Sequence, residues 1–176
     1  MARNRDGLAI LAQAMMRIPR GSPIRKRMHD VLDRDLEGAV HLGVFVEPFL
    51  GAIFDGRKTI ESRFSVNRCA PFDRVQAGDV ILLKRSGGPV VGVAVAGRAL
   101  YYHLDTDQLE TIREKFATRI CADYDEFWAE RSDKKFATLI EIEQVAKIET
   151  LDIEKRDRRG WVTYSTARPQ CHALAD

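Results

Sequence analysis

The sequence has few of the devices that staple small or specialised proteins together. Its 176 residues hold only three cysteines, an odd and sparse number that argues against a disulfide framework and for a reducing compartment. No apolar run approaches the roughly 20 residues that span a bilayer, so no membrane insertion is expected. The cysteines are widely separated, and the single Cys-His neighbour pair, Cys171-His172, lies in what reads as a loose tail. No zinc spacing results, and no metal or other cofactor is expected. A Gly-x-Ser-x-Gly elbow, a Walker loop and a Gly-x-Gly-x-x-Gly turn are all missing, which removes support for serine hydrolase, P-loop and dinucleotide-binding readings. With 45% hydrophobic and 31% charged residues, the chain is neither wholly disordered nor of low complexity. At 19.9 kDa it is long enough for one ordinary domain that buries its own core.

Charge is present and unevenly placed. Net charge is only +2, yet Met1 to Met28 carries Arg3, Arg5, Arg17, Arg20, Arg25, Lys26 and Arg27 against the single acid Asp6. The remainder holds 21 bases and 25 acids. A basic arm on a slightly acidic body suits a polyanion such as nucleic acid, because each neutralised phosphate releases a counterion; a merely solvated arm is the plain alternative. The apolar stretch Leu8 to Ala12 is too short for a signal-peptide core. The arm therefore reads as retained and the protein as cytoplasmic.

Periodicity divides the chain into 1–38, 39–165 and a tail, 166–176. Leu8, Leu11, Met15 and Ile18 recur at helical spacing until Pro19. Ser22-Pro23 opens a second helix with the apolar stripe Ile24, Met28, Val31, Leu32 and Leu36, ended by Gly38. These two helices need a partner for their apolar faces, either the body of the protein or a second copy in a homodimer. From residue 40 the pattern turns to short β-branched runs. Strands are expected over Val40 to Val46, Thr59 to Ser65, Val80 to Lys84, Val90 to Ala96 and Phe136 to Val145. A helical turn after Glu47-Pro48 ends at Gly56, Gly87-Gly88 makes a hairpin, and helices are expected near Thr106 to Ile120 and Tyr124 to Arg131. The fold class is α+β, a small barrel with inserted helices rather than a βαβ sheet. His41 begins a strand and His103 ends one, neither has an acid partner at catalytic spacing in the sequence, and both read as structural.

The most informative stretch is Asp55-Gly56-Arg57-Lys58-Thr59-Ile60-Glu61-Ser62-Arg63. On a strand, residues two apart share a face, so Thr59, Glu61 and Arg63 project together, with Lys58 at the junction before them. Two cations flanking a carboxylate can hold an anion while the carboxylate orients donors, handles protons or accepts from a base amino group. The same residues can equally form a plain ion pair on a sheet face, with Lys58 compensating a helix C-terminus.

Gly56, Lys58, Glu61 and Arg63 match the Gly-x-Lys-x-x-Glu-x-Arg signature, and about residues 40 to 165 resemble the ASCH domain, the activating signal cointegrator homology module. The resemblance implies a PUA-like β-barrel whose cleft takes RNA, a nucleotide or a modified base. In that reading Lys58 and Arg63 contact an anion, Glu61 accepts from the base, and Thr59 and Ser62 are secondary. Arg68, Asn67 and Lys84-Arg85-Ser86 are candidates for the cleft rim. Arg156, Arg158 and Arg159 precede Trp161, Tyr164 and Ser165, a mix of bases and aromatics that can hold backbone and stack a base, although Trp161 also suits a core. Some ASCH proteins are ribonucleases that use a lysine of this motif with a tyrosine and a serine elsewhere. Lys58 has the corresponding place, and Tyr164 and Ser165 are candidates by residue type. Another subgroup hydrolyses acetylated cytidine and has threonine where this chain has Glu61, a departure that argues against that chemistry here. Three readings follow: a binding module for RNA or a nucleotide, a hydrolase using Lys58 and Glu61 to move protons, and a protein-interaction domain.

Overall fold

The computed structural model describes residues 2–34, 39–154 and 158–164, the first five of these by backbone alone. Leu36, Gly38, Arg156, Ser165, Cys171 and His172 lie outside the described residues. The elements run α1 (Ala2–Met16), α2 (Ile24–Asp33), β1 (Val40–Phe45), α3 (Phe49–Phe54), β2 (Ile60–Ser65), β3 (Val80–Arg85), β4 (Val90–His103), α4 (Thr106–Ile120), α5 (Asp125–Ala129), β5 (Phe136–Leu151) and β6 (Trp161–Thr163).

The six strands form one mixed sheet in the order β2-β5-β4-β3-β1-β6, with β1 and β3 parallel and the other neighbours antiparallel. Alternation sorts its residues into two cores. Ile81, Leu83, Ala94, Ala96 and Ile140 point inward with Phe45 and Trp161. Val40, Leu42, Val80, Leu82, Val93 and Val95 point outward and would meet water uncovered. The helices α1 and α2 supply the cover: Leu11, Ala14, Ile18, Ile24, Met28 and Val31 are buried against that outer face. Arg27 anchors α2 further by donating to the Gly78 carbonyl. The apolar stripes of the arm are thus met by the chain's own sheet. A third core, with Ile60, Ile112, Ile120, Phe127, Trp128 and Leu139, fixes α4 and α5 against β2 and β5.

Two strands run further than their patterning suggests. β4 continues seven residues past Ala96, and β5 six past Val145. Both pass through irregular pairing, with register shifts between Val93 and Val95 and between Ala96 and Ala99 and a positive φ at Gln144. Bulges of this kind bend a strand and break the two-residue alternation that sequence reading depends on. The three-residue β6 went unforeseen because it follows a charged stretch and is too short to show a period. It is held by pairing with β1 and by the buried His41, whose Nε2 lies 2.9 Å from Asp79 Oδ2 and whose Nδ1 lies 3.1 Å from Thr163 Oγ1. Trp161 Nε1 donates to the same Nδ1 at 3.3 Å, so His41 is a satisfied structural histidine that accepts at Nδ1 and faces Asp79 with Nε2.

Candidate functional site at the seam of the sheet

The strands at the two ends of the sheet, β2 and β6, do not pair with each other, and the seam between them carries the cleft. Its volume is about 400 Å³, and its walls are the end of β1 (Val44 to Phe45), Phe49 of α3, β2, and the turn after α5 with Glu130, Arg131 and Lys134.

Local geometry explains why the motif residues gather there. The helix α3 ends in a Schellman turn, with Gly56 N–H on the Ile53 carbonyl and Arg57 N–H on the Ala52 carbonyl. That turn needs φ +73° at Gly56, a conformation glycine adopts without a Cβ penalty. Gly56 is therefore a turn residue and does not line the cleft. The turn delivers Lys58 inward. Its Nζ lies 2.8 Å from the Ile60 carbonyl, 3.0 Å from the Ile120 carbonyl at the end of α4, and 3.3 Å from Glu61 Oε2. The compensated helix end is that of α4, not of α3. Burial pushes the Lys58 ammonium below its ordinary 10.5, while the Glu61 carboxylate pulls it back up.

Glu61 Oε1 in turn sits 2.6 Å from Arg63 Nε. The contact is an ion pair whose N–H is not aligned for a hydrogen bond. The guanidinium of Arg63 crosses the seam. Its Nη2 donates to the Val44 carbonyl at 2.8 Å and its Nη1 to the Gly160 carbonyl at 3.3 Å, and it stacks over Phe45 and Trp161 at 5.1 and 5.3 Å from the ring centres. Arg63 therefore stitches the two ends of the sheet together. The rim opposite is made by Arg131, whose guanidinium lies 3.4 Å from the Phe127 ring centre and 5.5 Å from that of Phe64, and by Lys134, paired with Asp133 at 2.6 Å. Burial lowers the pKa of Arg131 as well, but the group remains a cation.

Of the residues singled out in the sequence, Lys58, Glu61, Ser62 and Arg63 line the cleft. The rest lie elsewhere. Thr59 does not share the cleft with Glu61, since its hydroxyl accepts from Arg119 Nε on the α4 side. Arg68 pairs with Asp73 and covers Phe72. Lys84 is buried in the β3–β4 hairpin, where it donates to the Gly88 carbonyl. Tyr164 packs with the core beneath α1 and α2. Trp161 is buried, 2% exposed, and serves the inner core rather than an exposed stacking platform. Ser165 lies outside the described residues. The sequence reading missed Phe49, Phe127, Glu130, Arg131 and Lys134. The only trace they leave is the run Glu130-Arg131-Ser132-Asp133-Lys134-Lys135 at the end of a short amphipathic helix, a pattern most solvated faces also show. Among the described residues, no group of His, Cys, Asp and Glu is placed to hold a metal ion, and no helix is long and apolar enough to cross a membrane.

No family model and no curated protein matches the sequence. Among solved structures, the chain is similar to the crystal structure of ASCH from Zymomonas mobilis, with a TM-score of 0.54 and 15% identity over 66% of this chain and 76% of that one. A serine-to-alanine variant of that protein gives 0.53 at 14% identity over 66% and 75%. A tyrosine-to-phenylalanine variant gives 0.52 at 14% over 65% and 76%. At this identity the likeness is one of architecture alone: the chain is an α+β half-barrel with the fold of the ASCH-domain structures.

Proposed function

We propose that the seam cleft binds RNA or a nucleotide, as a binding module. The observation that carries this reading is the cleft's composition: Lys58, Arg63, Arg131 and Lys134 against Glu61 and Glu130, beside the rings of Phe45, Phe49, Phe64 and Phe127, in about 400 Å³. Excess positive charge suits phosphate, aromatic walls suit a base, and the volume suits a single nucleotide. Within the cleft the roles divide. Lys58 and Arg63 spend their donors on backbone carbonyls and on Glu61, so they fix the carboxylate. Glu61 is the acceptor for a base amino group, and Arg131 and Lys134 are the phosphate contacts. The arm packs on the opposite face of the sheet, so Arg20, Lys26 and Arg34 contribute long-range attraction rather than cleft contacts.

A hydrolase acting on RNA or a modified nucleoside is the second reading, favoured by the lowered pKa of Lys58, which a general base requires. Against it, the three donors of the Lys58 ammonium already face three acceptors, leaving no lone pair directed at a substrate. Tyr164, the candidate hydroxyl partner, is on the other side of the sheet.

Fluorescence anisotropy with a short labelled single-stranded RNA at two salt concentrations, followed by a denaturing gel, separates these readings. The double variant Lys58→Met/Glu61→Gln removes the buried Lys58–Glu61 pair from both sides and leaves the part-buried Arg63 with its carbonyl acceptors. The binding reading predicts salt-sensitive binding of intact RNA. Shortened RNA that is absent with the double variant would mean a nuclease, and neither binding nor cleavage would leave a modified nucleoside or a protein partner as the remaining readings.

A further inference from the structure

The cleft is lined by Glu61 and Arg63 from one face of β2 and by Ser62 and Phe64 from the other. Neighbouring residues of a strand point to opposite faces, so one cleft meets all four only by running along the strand's edge. β2 is the terminal strand of the sheet, and its pairing decides which backbone groups face that edge. The Thr59 carbonyl accepts from Ile142 N at 2.9 Å, one step before the Ile60–Glu141 register position. Bonded pairs alternate along an antiparallel ladder. The Thr59 carbonyl therefore faces β5, although its N–H donates to the Arg119 carbonyl of α4; within β2, Glu61 and Arg63 direct their N–H and C=O at β5, and Ile60, Ser62 and Phe64 direct theirs at the seam. Lys58 Nζ on the Ile60 carbonyl agrees with this parity and occupies that position.

We propose that the open edge at Ser62 reads the Watson–Crick face of an unpaired nucleobase, its N–H donating to the base acceptor and its C=O accepting from the adjacent base N–H. This deepens the binding reading and rests on it. In an extended strand the N–H and C=O of one residue point the same way, giving a neighbouring donor and acceptor. Each nucleobase carries the complementary pair on its pairing edge. A base fits this edge better than an added peptide strand. The edge is closed at one end by Lys58, and Arg63 bridges the seam to Val44 and Gly160, so little more than Ser62 to Phe64 is open. Arg131 and Lys134 on the rim then lie where the phosphate of such a nucleotide carries its charge. An RNA strand whose bases are already paired has no such edge to offer.

The test uses short oligouridine, oligoadenosine and oligocytidine, with the tightest binder then compared with its analogue methylated at the pairing nitrogen (N3 of uridine or cytidine, N1 of adenosine). Methylation should weaken binding at least tenfold. In ¹⁵N-labelled protein the Ser62 and Phe64 amide signals should move with the unmodified RNA and not with the analogue. Equal affinity for both, with those amides unmoved, overturns the edge readout while leaving nucleotide binding in the cleft intact. Binding of none of the oligomers at low salt overturns both.

Discussion

At the scale of single residues, the motif that draws attention in the sequence is an ion chain first and a binding surface second. Lys58 and Glu61 are both buried, and each keeps the other's charge tolerable. Breaking a buried pair from one side leaves an uncompensated charge. Glu61→Gln should therefore cost about 3 kcal/mol, read from urea denaturation; a loss below about 0.5 kcal/mol would mean the pair behaves like an exposed one. Lys58 also predicts a pH dependence. Its folded-state pKa lies below 10.5, so between that value and 10.5 the unfolded chain binds one proton more than the folded chain. Stability from this group then rises with pH across the window, and below it the full cost of burying the cation is present. Wild type should gain stability relative to Lys58→Met as pH approaches 10.5, and a relative loss would contradict the assignment. Much of this ion chain was legible in the sequence. Gly56 as a helix stop and the shared face of Glu61 and Arg63 follow from backbone preference and strand parity. Thr59 was misplaced because it precedes the strand, where parity does not hold. Arg131 and Lys134 were invisible because their role comes from their place across the seam, which no local period encodes.

At the scale of elements, the seam depends on a piece that sequence patterning leaves unassigned. The short β6 is held by the hydrogen bonds of the buried His41 and by the Trp161 ring beneath Arg63. Trp161→Ala removes a large buried side chain and should cost about 3–5 kcal/mol, and because Arg63 loses its stacking partner, nucleotide affinity should fall as well. Retained affinity in a still-folded variant would separate β6 from the cleft. The arm was legible as two amphipathic helices, but periodicity names a buried face without naming what buries it. The answer came from the sheet, whose outward valines and leucines need the same cover. Met28 is fully buried there, and Met28→Ala should cost about 2–5 kcal/mol by chemical denaturation. A cost under about 1 kcal/mol would indicate that α2 is not docked in solution.

At the scale of the whole molecule, one sheet separates two positively charged features. The helical arm covers the outer face, and the cleft opens at the seam, where the ends of the half-barrel meet without pairing. A sheet closed on itself would have no edge to offer; here Arg63 bridges the gap and leaves part of β2 facing it. The arm and the cleft should therefore contribute to RNA binding in different ways. Neutralising Arg20, Lys26 and Arg34 together should flatten the salt dependence, by about 0.7 in log–log slope for each phosphate left without its cation, while leaving affinity for a single nucleotide unchanged. The cleft should set affinity itself. The most direct measurement is equilibrium binding of one short single-stranded RNA to wild type and to Arg131→Ala, whose substitution alters the rim without touching the buried ion chain. The account predicts at least a tenfold loss with Arg131→Ala. Unchanged affinity in that variant, together with loss of binding when the arm is neutralised, would contradict it.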